Sequence, residues 1–344
     1  WADEKWDRVF GKIVPQSKVF ISRLLGGVSD SQICLAPNTH EFVYRLFSCF
    51  SQGSPTRVLT TDGEFHSFSR QVRRLEEAGQ VVVKRVAVEP FQSFAERWEK
   101  AARKGPWDLV FLSHVFFKSG HALPDIASFY TSVPEASAFV VDGYHAFCAL
   151  PISLGNLGKK IFYLAGGYKY AQAGEGVCFL SVPEQCEFRP LFTGWFAAYK
   201  RLEAGGGEET TGYDSGGNRF AGATMDFTAA YRFNAVQQWW NSIGLTVDQI
   251  HRRVTALKLA FIDGLGKKGS PLLDPGEVLR EGQTLPQGHF IVFKTPKAAA
   301  IAQELKKRRI VVDYRGDRLR VGFGLYHDMQ SVQELLERLG PLVG

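Results

Sequence analysis

One lysine, Lys169, lies in a glycine-crowded stretch, LAGGYKYAQAGEGVCFL at 164–180, with a tyrosine on either side. An acid and a histidine three residues apart, Asp142 and His145, follow an apolar run in VVDGYHAF. An acid that ends a buried strand is costly to desolvate unless a cation lies near it. One interpretation is a buried ion pair between Asp142 and Lys169. The other is that both groups serve a chemical reaction.

The pattern of elements that must position these residues is that of an α/β protein. Short β-rich runs alternate with helical patterns from about residue 31 to 182, which predicts a mostly parallel sheet of seven strands. The chain beyond it combines a long helical span with further strands and helices, which predicts a smaller α+β domain. The predicted organisation is an N-terminal helix at 1–13 packed on the small domain, a large domain at 14–225 and a small domain at 226–344.

Further polar and aromatic residues follow the other strands, and open α/β sheets bind ligands beyond the carboxyl ends of their strands. Asn38 and Thr39 follow the first strand, where a capped helix start offers N–H groups to a phosphate. Phe65 and Ser67 follow the second strand. Pyridoxal phosphate needs a lysine for its Schiff base, an acid at its pyridine nitrogen, donors for its phosphate and a flat side chain over its ring. The sequence offers all four and predicts a site for this cofactor.

Several motifs resemble those of a known family. They are Asp-x-x-His at 142–145, Tyr-Lys-Tyr followed by Gly-x-Gly at 168–176, and LRVGFGLYHD near the C-terminus. These motifs are similar to those of the class V, fold type I pyridoxal phosphate enzymes, and most similar to those of the kynureninases. The resemblance extends from about residue 31 to the C-terminus. It implies the fold type I architecture, a large cofactor-binding domain followed by a smaller C-terminal one.

The resemblance implies a role for each matching residue. Lys169 forms the Schiff base, Asp142 holds the protonated pyridine nitrogen and His145 lies beside the ring. Phe65 stacks on the ring, Tyr168 reaches the phosphate, and the glycines near the lysine let the backbone approach the cofactor. The remaining implied positions at the phosphate are Thr39, His40, Glu41, Ser67 and Phe68.

Two further implications concern the substrate and the oligomer. Arg320 is expected to bind the carboxylate of an amino acid, because a guanidinium grips a carboxylate with two hydrogen bonds. Arg315 is expected to be a surface or salt-bridge arginine. Trp195 and Thr224 match cofactor-binding positions that come from the partner subunit, which implies a homodimer with shared active sites.

If the likeness to kynureninases extends to the reaction, the enzyme hydrolyses the β–γ C–C bond of kynurenine or a related substrate, giving anthranilate and alanine in the case of kynurenine. Lys169 is then the general base at the α proton. A class V aminotransferase or another pyridoxal phosphate-dependent lyase is the alternative, and a non-catalytic relative is a further one. Cysteine desulfuration needs a thiol from the later part of the chain, and no cysteine follows Cys186.

Composition excludes several other classes. With 344 residues, 45% hydrophobic and 22% charged, the chain is typical of globular proteins. It lacks an apolar run of roughly 18 residues and a signal-peptide pattern, which predicts a cytoplasmic protein without a membrane partner. The five cysteines lack metal-binding spacing, so no metal is expected. The net charge of +6 is spread among acids, and KKRR at 306–309 is interpreted as a solvated helix face, so no nucleic-acid partner is expected.

Overall fold

The chain forms two compact units in a computed structural model. The described residues are 4–50, 53–134, 138–203, 210–282 and 284–340. Unit 1 comprises Trp1–His114 and Leu123–Gly244, and unit 2 comprises Val115–Ala122 and Leu245–Gly344.

A seven-stranded sheet forms the centre of unit 1. Its strands are β1 (Ile33–Ala36), β2 (Thr56–Thr61), β3 (Val81–Val86), β4 (Leu109–Ser113), β5 (Ala138–Asp142), β6 (Phe162–Gly166) and β7 (Cys178–Ser181). Their order is β1-β7-β6-β5-β4-β2-β3; β7 pairs antiparallel with both β1 and β6, and the other adjacent pairs are parallel. Every residue of β4, β5 and β6 is buried, as expected of parallel strands covered on both faces. The predicted mostly parallel sheet is confirmed.

Unit 1 also contains eight α-helices among its described residues. They are α1 (Glu4–Arg8), α2 (Val14–Leu25), α3 (Thr39–Ser48), α4 (His66–Glu77), α5 (Phe94–Ala102), α6 (Ile126–Thr131), α7 (Tyr199–Glu203) and α8 (Thr228–Ser242). A π-helical turn, Val9–Ile13, joins α1 to α2. Phe42 of α3 and Phe68 of α4 are buried in the main hydrophobic core together with Phe111 of β4. Burial of these rings fixes α3 and α4 against the sheet and thereby places the first turn of each helix at the strand ends.

Unit 2 is a smaller α+β unit, as predicted. It contains the helices α9 (Val247–Lys268), α10 (Ala298–Lys307) and α11 (Met329–Arg338) and the strands β8 (Phe290–Lys294), β9 (Asp313–Arg315) and β10 (Arg318–Gly322). The strands form an antiparallel sheet in the order β8-β10-β9. Lys307 is exposed and pairs with Glu304. The Arg308 side chain is 10% exposed and its guanidinium donates to Arg338 O and Gly340 O, so the predicted solvated face applies to only part of the basic run. Within the described ranges, no helix combines the length and the apolar character that a bilayer crossing requires.

The structure corrects the predicted position of the boundary between the domains. The long helical span is two helices, α8 and α9, separated by a turn in which Gly244 has φ +67°. The whole of α8 belongs to unit 1, because Phe233 packs against Phe20 and Phe147 there. The boundary therefore follows residue 244 rather than 225, and a short segment, Val115–Ala122, also joins unit 2.

The N-terminal helix also packs on a different unit from the predicted one. Its described residues continue through the π-helical turn into α2, so 4–25 is one helical run. Phe10 contacts Phe196 and Phe227 at ring-centroid distances of 5.3 and 5.7 Å. These residues belong to unit 1. The aromatic side chains of the helix are therefore buried against the large unit, and the prediction that it packs on the small domain is wrong.

Candidate active site

Lys169 and His145 are in direct contact at the carboxyl edge of the sheet. Lys169 follows β6, His145 follows β5, and Nζ of Lys169 lies 2.6 Å from Nε2 of His145. Because an ammonium group has donors and no acceptor, Nε2 accepts the bond when the lysine is charged. The bend around the lysine is closed by hydrogen bonds from the N–H of Gly167 to Val177 O and from the N–H of Ala173 to Gly167 O. These bonds fix the backbone on both sides of the lysine.

The glycines that precede the lysine make room for neighbouring side chains of the protein. A Cβ on Gly166 would come within 2.5 Å of the Tyr144 hydroxyl, and one on Gly167 would come within 2.5 Å of Val177 Cγ1. Further along, Gly176 has φ +99°, a conformation that favours glycine. Packing within the protein therefore already requires glycine at positions 166 and 167. A close approach of the backbone to the cofactor is not needed to explain these two glycines.

Asp142 is the last residue of β5 and is buried between the ends of the neighbouring strands. The N–H of Tyr144 donates to its Oδ1 at 2.9 Å. Burial raises the pKa of Asp142 to about 6, and the hydrogen bond from Tyr144 and the charge of Lys169 act in the opposite direction. Burial disfavours the ionised carboxylate unless a positive charge lies near it, so Asp142 is suited to stabilise a protonated ring nitrogen.

Two aromatic rings lie near the amine. Phe65 precedes the first residue of α4, and the centroid of its ring is 5.5 Å from Nζ of Lys169. Its exposed fraction of 37% leaves part of the ring surface open for a flat ligand. Tyr144 lies at a similar distance, with its ring centroid 5.7 Å from the same atom.

Phe68 does not present its side chain to this edge. It is 1% exposed, and its ring stacks on Phe111 with the centroids 3.7 Å apart. Its N–H donates to Phe65 O inside the first turn of α4. These contacts do not support the predicted phosphate contact of Phe68, because the apolar ring is needed in the core and the N–H is already bonded. Ser67, one residue earlier, is half-buried at the start of the helix.

The start of α3 is capped as the sequence predicts. Asn38 Oδ1 accepts from the N–H of Glu41 at 3.1 Å, and a Glu41 carboxylate oxygen lies 2.6 Å from the guanidinium of the buried Arg45. Glu41 therefore has a structural role, and these contacts do not support its predicted contact with a phosphate. Thr39 is buried with its Oγ1 3.8 Å from Cys178 Sγ.

The remaining predicted cofactor contacts are exposed side chains of unit 1. His40 is exposed, Tyr168 is 52% exposed and Trp195 is 47% exposed. Thr224 is exposed as well. A hydrogen bond from the N–H of Phe196 to Gly222 O joins the segment that carries Trp195 to the one that carries Thr224. The two residues that the resemblance assigns to a partner subunit thus lie on adjoining surface segments.

Glu64 is a buried acid at this edge that the sequence analysis missed. It is 3% exposed, and its two carboxyl oxygens lie 2.5 Å from the hydroxyl oxygens of Thr61 and Ser113. Burial raises the pKa of Glu64 to about 8, the hydrogen bonds from Ser113 and Thr61 lower it, and the charge of Asp142 raises it further. An acid soon after a buried strand is the signal that singled out Asp142, and the same signal applies to Glu64.

Arg320 lies on β10 in unit 2, and its guanidinium group has partners on two neighbouring segments. Its guanidinium pairs with Asp313, which is directly opposite on β9, and donates to Phe117 O at 2.7 Å. The guanidinium is therefore occupied by partners of this chain, and the binding of a substrate carboxylate by Arg320 stays a prediction. Arg315 is exposed and pairs with the same aspartate at 3.0 Å, so its predicted role as a salt-bridge arginine is confirmed.

None of the five cysteines has the environment of an activated thiol. Cys34, Cys148 and Cys178 are buried, and Cys49 and Cys186 are half-buried. Burial raises the pKa of all five thiols and is the largest cause of each shift. The pKa of Cys34 is raised to about 11. A thiol with a raised pKa is protonated at neutral pH and is a poor nucleophile. Among the described residues, no three His, Cys, Asp or Glu side chains are grouped to hold a metal ion.

The donor set fits pyridoxal phosphate. A fixed amine, a buried carboxyl group on the neighbouring strand, a half-open aromatic ring and two helix starts lie along one edge of unit 1. These are the groups required to attach the cofactor, hold its ring nitrogen, cover its ring and bind its phosphate.

Comparison with known proteins agrees with this chemistry. Residues 10–335 match the family model described as aminotransferase class-V. A solved complex of the cystine C-S lyase C-DES with cysteine persulfide is 21% identical, with a TM-score of 0.79 over 96% of this chain and 87% of that one. The apo cysteine desulfurase of Thermococcus onnurineus NA1 is 18% identical, with a TM-score of 0.76 over 96% and 84%. The cysteine desulfurase CsdA of Escherichia coli is 15% identical, with a TM-score of 0.75 over 95% and 82%.

At these identities the solved structures show a shared fold, and none of those named is a kynureninase. No curated protein sequence matches the chain. The family model, which covers most of the chain, carries the assignment. The chain belongs to the class V aminotransferase family, whose members are pyridoxal phosphate-dependent enzymes of fold type I.

Proposed function

We propose that this protein is a pyridoxal phosphate-dependent lyase that breaks a bond at the β carbon of an amino acid, with cystine or cysteine as the first substrates to test. The contact between Lys169 and His145 carries the proposal, because it holds an amine beside a buried acid at the edge of the sheet. One structural neighbour supports this choice of substrates, since it is a cystine C-S lyase whose reaction product is cysteine persulfide.

Each residue of the site has a definite task in such a reaction. When bound, the cofactor joins the substrate amine and withdraws electrons from the α carbon. Asp142 supplies the negative charge that keeps a proton on the ring nitrogen, and Phe65 covers one face of the ring. Lys169 removes the α proton once the substrate has displaced it, and His145 accepts a hydrogen bond from the lysine and orients it. Cleavage of the Cβ–S bond of cystine would release cysteine persulfide, and water would hydrolyse the remaining three-carbon fragment to pyruvate and ammonia.

The state of the thiols favours a lyase over a desulfurase that passes sulfur to its own cysteine. Such a transfer needs a thiolate that reaches the substrate, whereas all five thiols of this chain have raised pKa values. Cys49 and Cys186 are the more accessible ones. Serine at both positions is therefore expected to leave the turnover of cysteine and cystine unchanged, and this double variant is a control in the substrate screen.

Kynureninase-like hydrolysis remains the second candidate. It is favoured by the Asp-x-x-His motif, in which His145 contacts Lys169. The same amine and the same acid would serve the cleavage of kynurenine at its β–γ bond. Transamination would also use this site. It differs from the two cleavage reactions in that it consumes a 2-oxo acid.

A product screen distinguishes these reactions. The protein, loaded with pyridoxal phosphate, is incubated with cystine, cysteine, kynurenine or alanine, each with and without a 2-oxo acid. We expect pyruvate from cystine or cysteine at the same rate with and without the 2-oxo acid. Anthranilate and alanine from kynurenine, with no pyruvate from the sulfur amino acids, would establish hydrolysis instead. Consumption of the 2-oxo acid in proportion to product would establish transamination.

We expect Arg320→Lys to raise the KM for the amino acid by about 10- to 100-fold, because lysine cannot form the two parallel hydrogen bonds of a guanidinium to a carboxylate. The value of kcat should change less than the KM. Arg315→Lys is the matched control, because this exposed arginine contacts the same aspartate from the other side. Equal effects of the two variants on KM would contradict the assignment of Arg320 to the substrate.

Asp313→Asn tests the same assignment from the opposite direction. Asp313 now occupies the guanidinium of Arg320, and a substrate carboxylate must displace it. Removal of the competing charge is expected to lower the KM severalfold without a change in the substrate range. A KM that rises instead would show that Asp313 mainly orients the arginine.

We also propose that a second copy of the chain completes the cofactor site. Trp195 and Thr224 support this proposal, because both are exposed and lie on segments joined by a backbone hydrogen bond. A large exposed indole on such a surface is typical of a protein interface. Cross-linking through a cysteine at position 224 should give a dimer, and a monomer that binds the cofactor at full strength would disprove the proposal.

A further inference from the structure

We propose that Glu64 is a positioning residue, held as an uncharged acid, which ties the turn that carries Phe65 to the strand end beside Asp142. The inference rests on the cofactor site described above and concerns its assembly rather than the reaction that it performs. It adds one residue to the site that neither the motifs nor the family assignment indicates.

The geometry places Glu64 between two functional parts of the edge. It lies in the turn after β2, immediately before Phe65, whose ring faces Lys169. Its hydrogen-bond partner Ser113 is the last residue of β4 and lies directly opposite Asp142 in the β4–β5 register. One side chain therefore links the segment that covers the ring of the cofactor to the strand end that holds its nitrogen.

The pattern of hydrogen bonds is complete for an uncharged acid. Oε1 accepts from the Thr61 hydroxyl at 2.5 Å and lies 3.3 Å from the N–H of Ser113, which also donates to it. Ser113 Oγ lies 2.5 Å from Oε2 and donates to it when the acid is ionised; when Oε2 carries a proton, the acid donates to Ser113 Oγ instead. The N–H of Gly63 donates to Thr61 Oγ1, which leaves the threonine hydroxyl hydrogen for the acid. Every atom of the carboxyl group then has a partner.

Electrostatic repulsion from Asp142 also favours the uncharged form of Glu64. Glu64 and Asp142 are both buried, and the field of Asp142 acts on Glu64. Two buried carboxylates at one edge would repel each other, so one of them keeps its proton. Asp142 receives the N–H of Tyr144 and the field of Lys169, which favour its ionised form, whereas Glu64 is the group with the higher pKa, about 8. The single negative charge is thereby kept on Asp142, the residue that would hold the ring nitrogen.

The first test compares three variants by their affinity for pyridoxal phosphate, measured by titration of the apoprotein and followed by quenching of tryptophan fluorescence. Glu64→Gln keeps the shape and an N–H donor, so its affinity at about pH 7 should stay within about threefold of wild type. Glu64→Ala frees the turn and should weaken binding by about tenfold or more. Glu77→Gln is the matched control, because this glutamate is exposed on the helix that follows.

The second test uses the pH dependence of thermal stability in the apoprotein. The pKa of Glu64 is about 8 in the folded chain against an ordinary value of 4.5. Its contribution to stability is therefore complete below about pH 4.5 and is lost as the pH rises through about 8. We expect Glu64→Gln to melt close to wild type at about pH 5 and several degrees above it at about pH 9.

The outcomes decide the proposal in either direction. Equal loss of cofactor affinity in Glu64→Gln and Glu64→Ala would show that the charge of the carboxylate is needed, and unchanged affinity in Glu64→Ala would show that Glu64 positions nothing. If Glu64→Ala does not fold, Ser113→Ala replaces it, since this variant removes the bond to Oε2 and should weaken binding severalfold. Neither measurement uses a substrate, so a failure of the Glu64 proposal can be distinguished from a failure of the proposed lyase reaction.

Discussion

Replacement of Lys169 by arginine is expected to abolish turnover and to leave the fold intact. Arginine keeps the positive charge that Asp142 and the ring of Phe65 experience, but it has no amine that forms an imine or removes the α proton. Loss of a general base alone costs on the order of 10²- to 10⁴-fold in rate. Loss of the attachment point adds to this, so kcat should fall by at least that factor.

Borohydride reduction gives a direct measurement for this variant. In wild type, reduction followed by peptide mapping should place a pyridoxyl group on Lys169. In Lys169→Arg, no peptide should carry it. Lys159→Arg is the control, because Lys159 is an exposed lysine that pairs with Glu184 and should be neither labelled nor required. A pyridoxyl group on any other lysine of the wild-type protein would refute the assignment of the site.

Asp142→Asn is expected to lower kcat by about 10²- to 10³-fold while the apoprotein folds normally. Asparagine fills the same space and still accepts the N–H of Tyr144, but it cannot balance a protonated ring nitrogen. The loss of a preorganised charge at a reacting system costs rates of this order. The near-visible absorbance of the bound cofactor should change as well, since its ring nitrogen loses a charged partner.

The control for Asp142→Asn is Asp108→Asn. Asp108 binds the guanidinium of Arg57 near the start of β4, at the opposite end of the strand from Ser113. An exposed ion pair of this kind contributes little, so kcat and the cofactor spectrum should be unchanged. If Asp142→Asn kept the wild-type rate and spectrum, the carboxyl group would have no part in catalysis, and its burial would be a matter of folding alone.

The order of helices and strands was accessible from the sequence because it depends on local patterns. Seven apolar runs bounded by turn residues predicted the seven strands, and their alternation with helices predicted that the sheet is mostly parallel. The same rules place Asp142 at the end of one strand and Lys169 just beyond its neighbour, so the proposed amine and acid could be singled out from residue types at strand ends.

Packing between distant segments decided what the local patterns could not. The ring of Phe68 enters the core because Phe111 lies opposite, and the glycines before Lys169 are needed because Tyr144 and Val177 approach them. The N-terminal helix joined unit 1 for a similar reason, since Phe196 and Phe227 form the aromatic surface that covers Phe10. None of these neighbours is adjacent in the chain.

By itself, the sequence determined the order of the elements and the cofactor, and it singled out the proposed amine and acid, because each depends on residue type and on position at a strand end. Only the tertiary structure showed that Glu64 bonds to Ser113 and that Glu41 pairs with Arg45 in its own helix. Glu64 reaches Ser113 across 49 positions of the chain, and burial of that contact sets its protonation. Burial and long-range contacts arise from the packed chain as a whole, so no local pattern reports them.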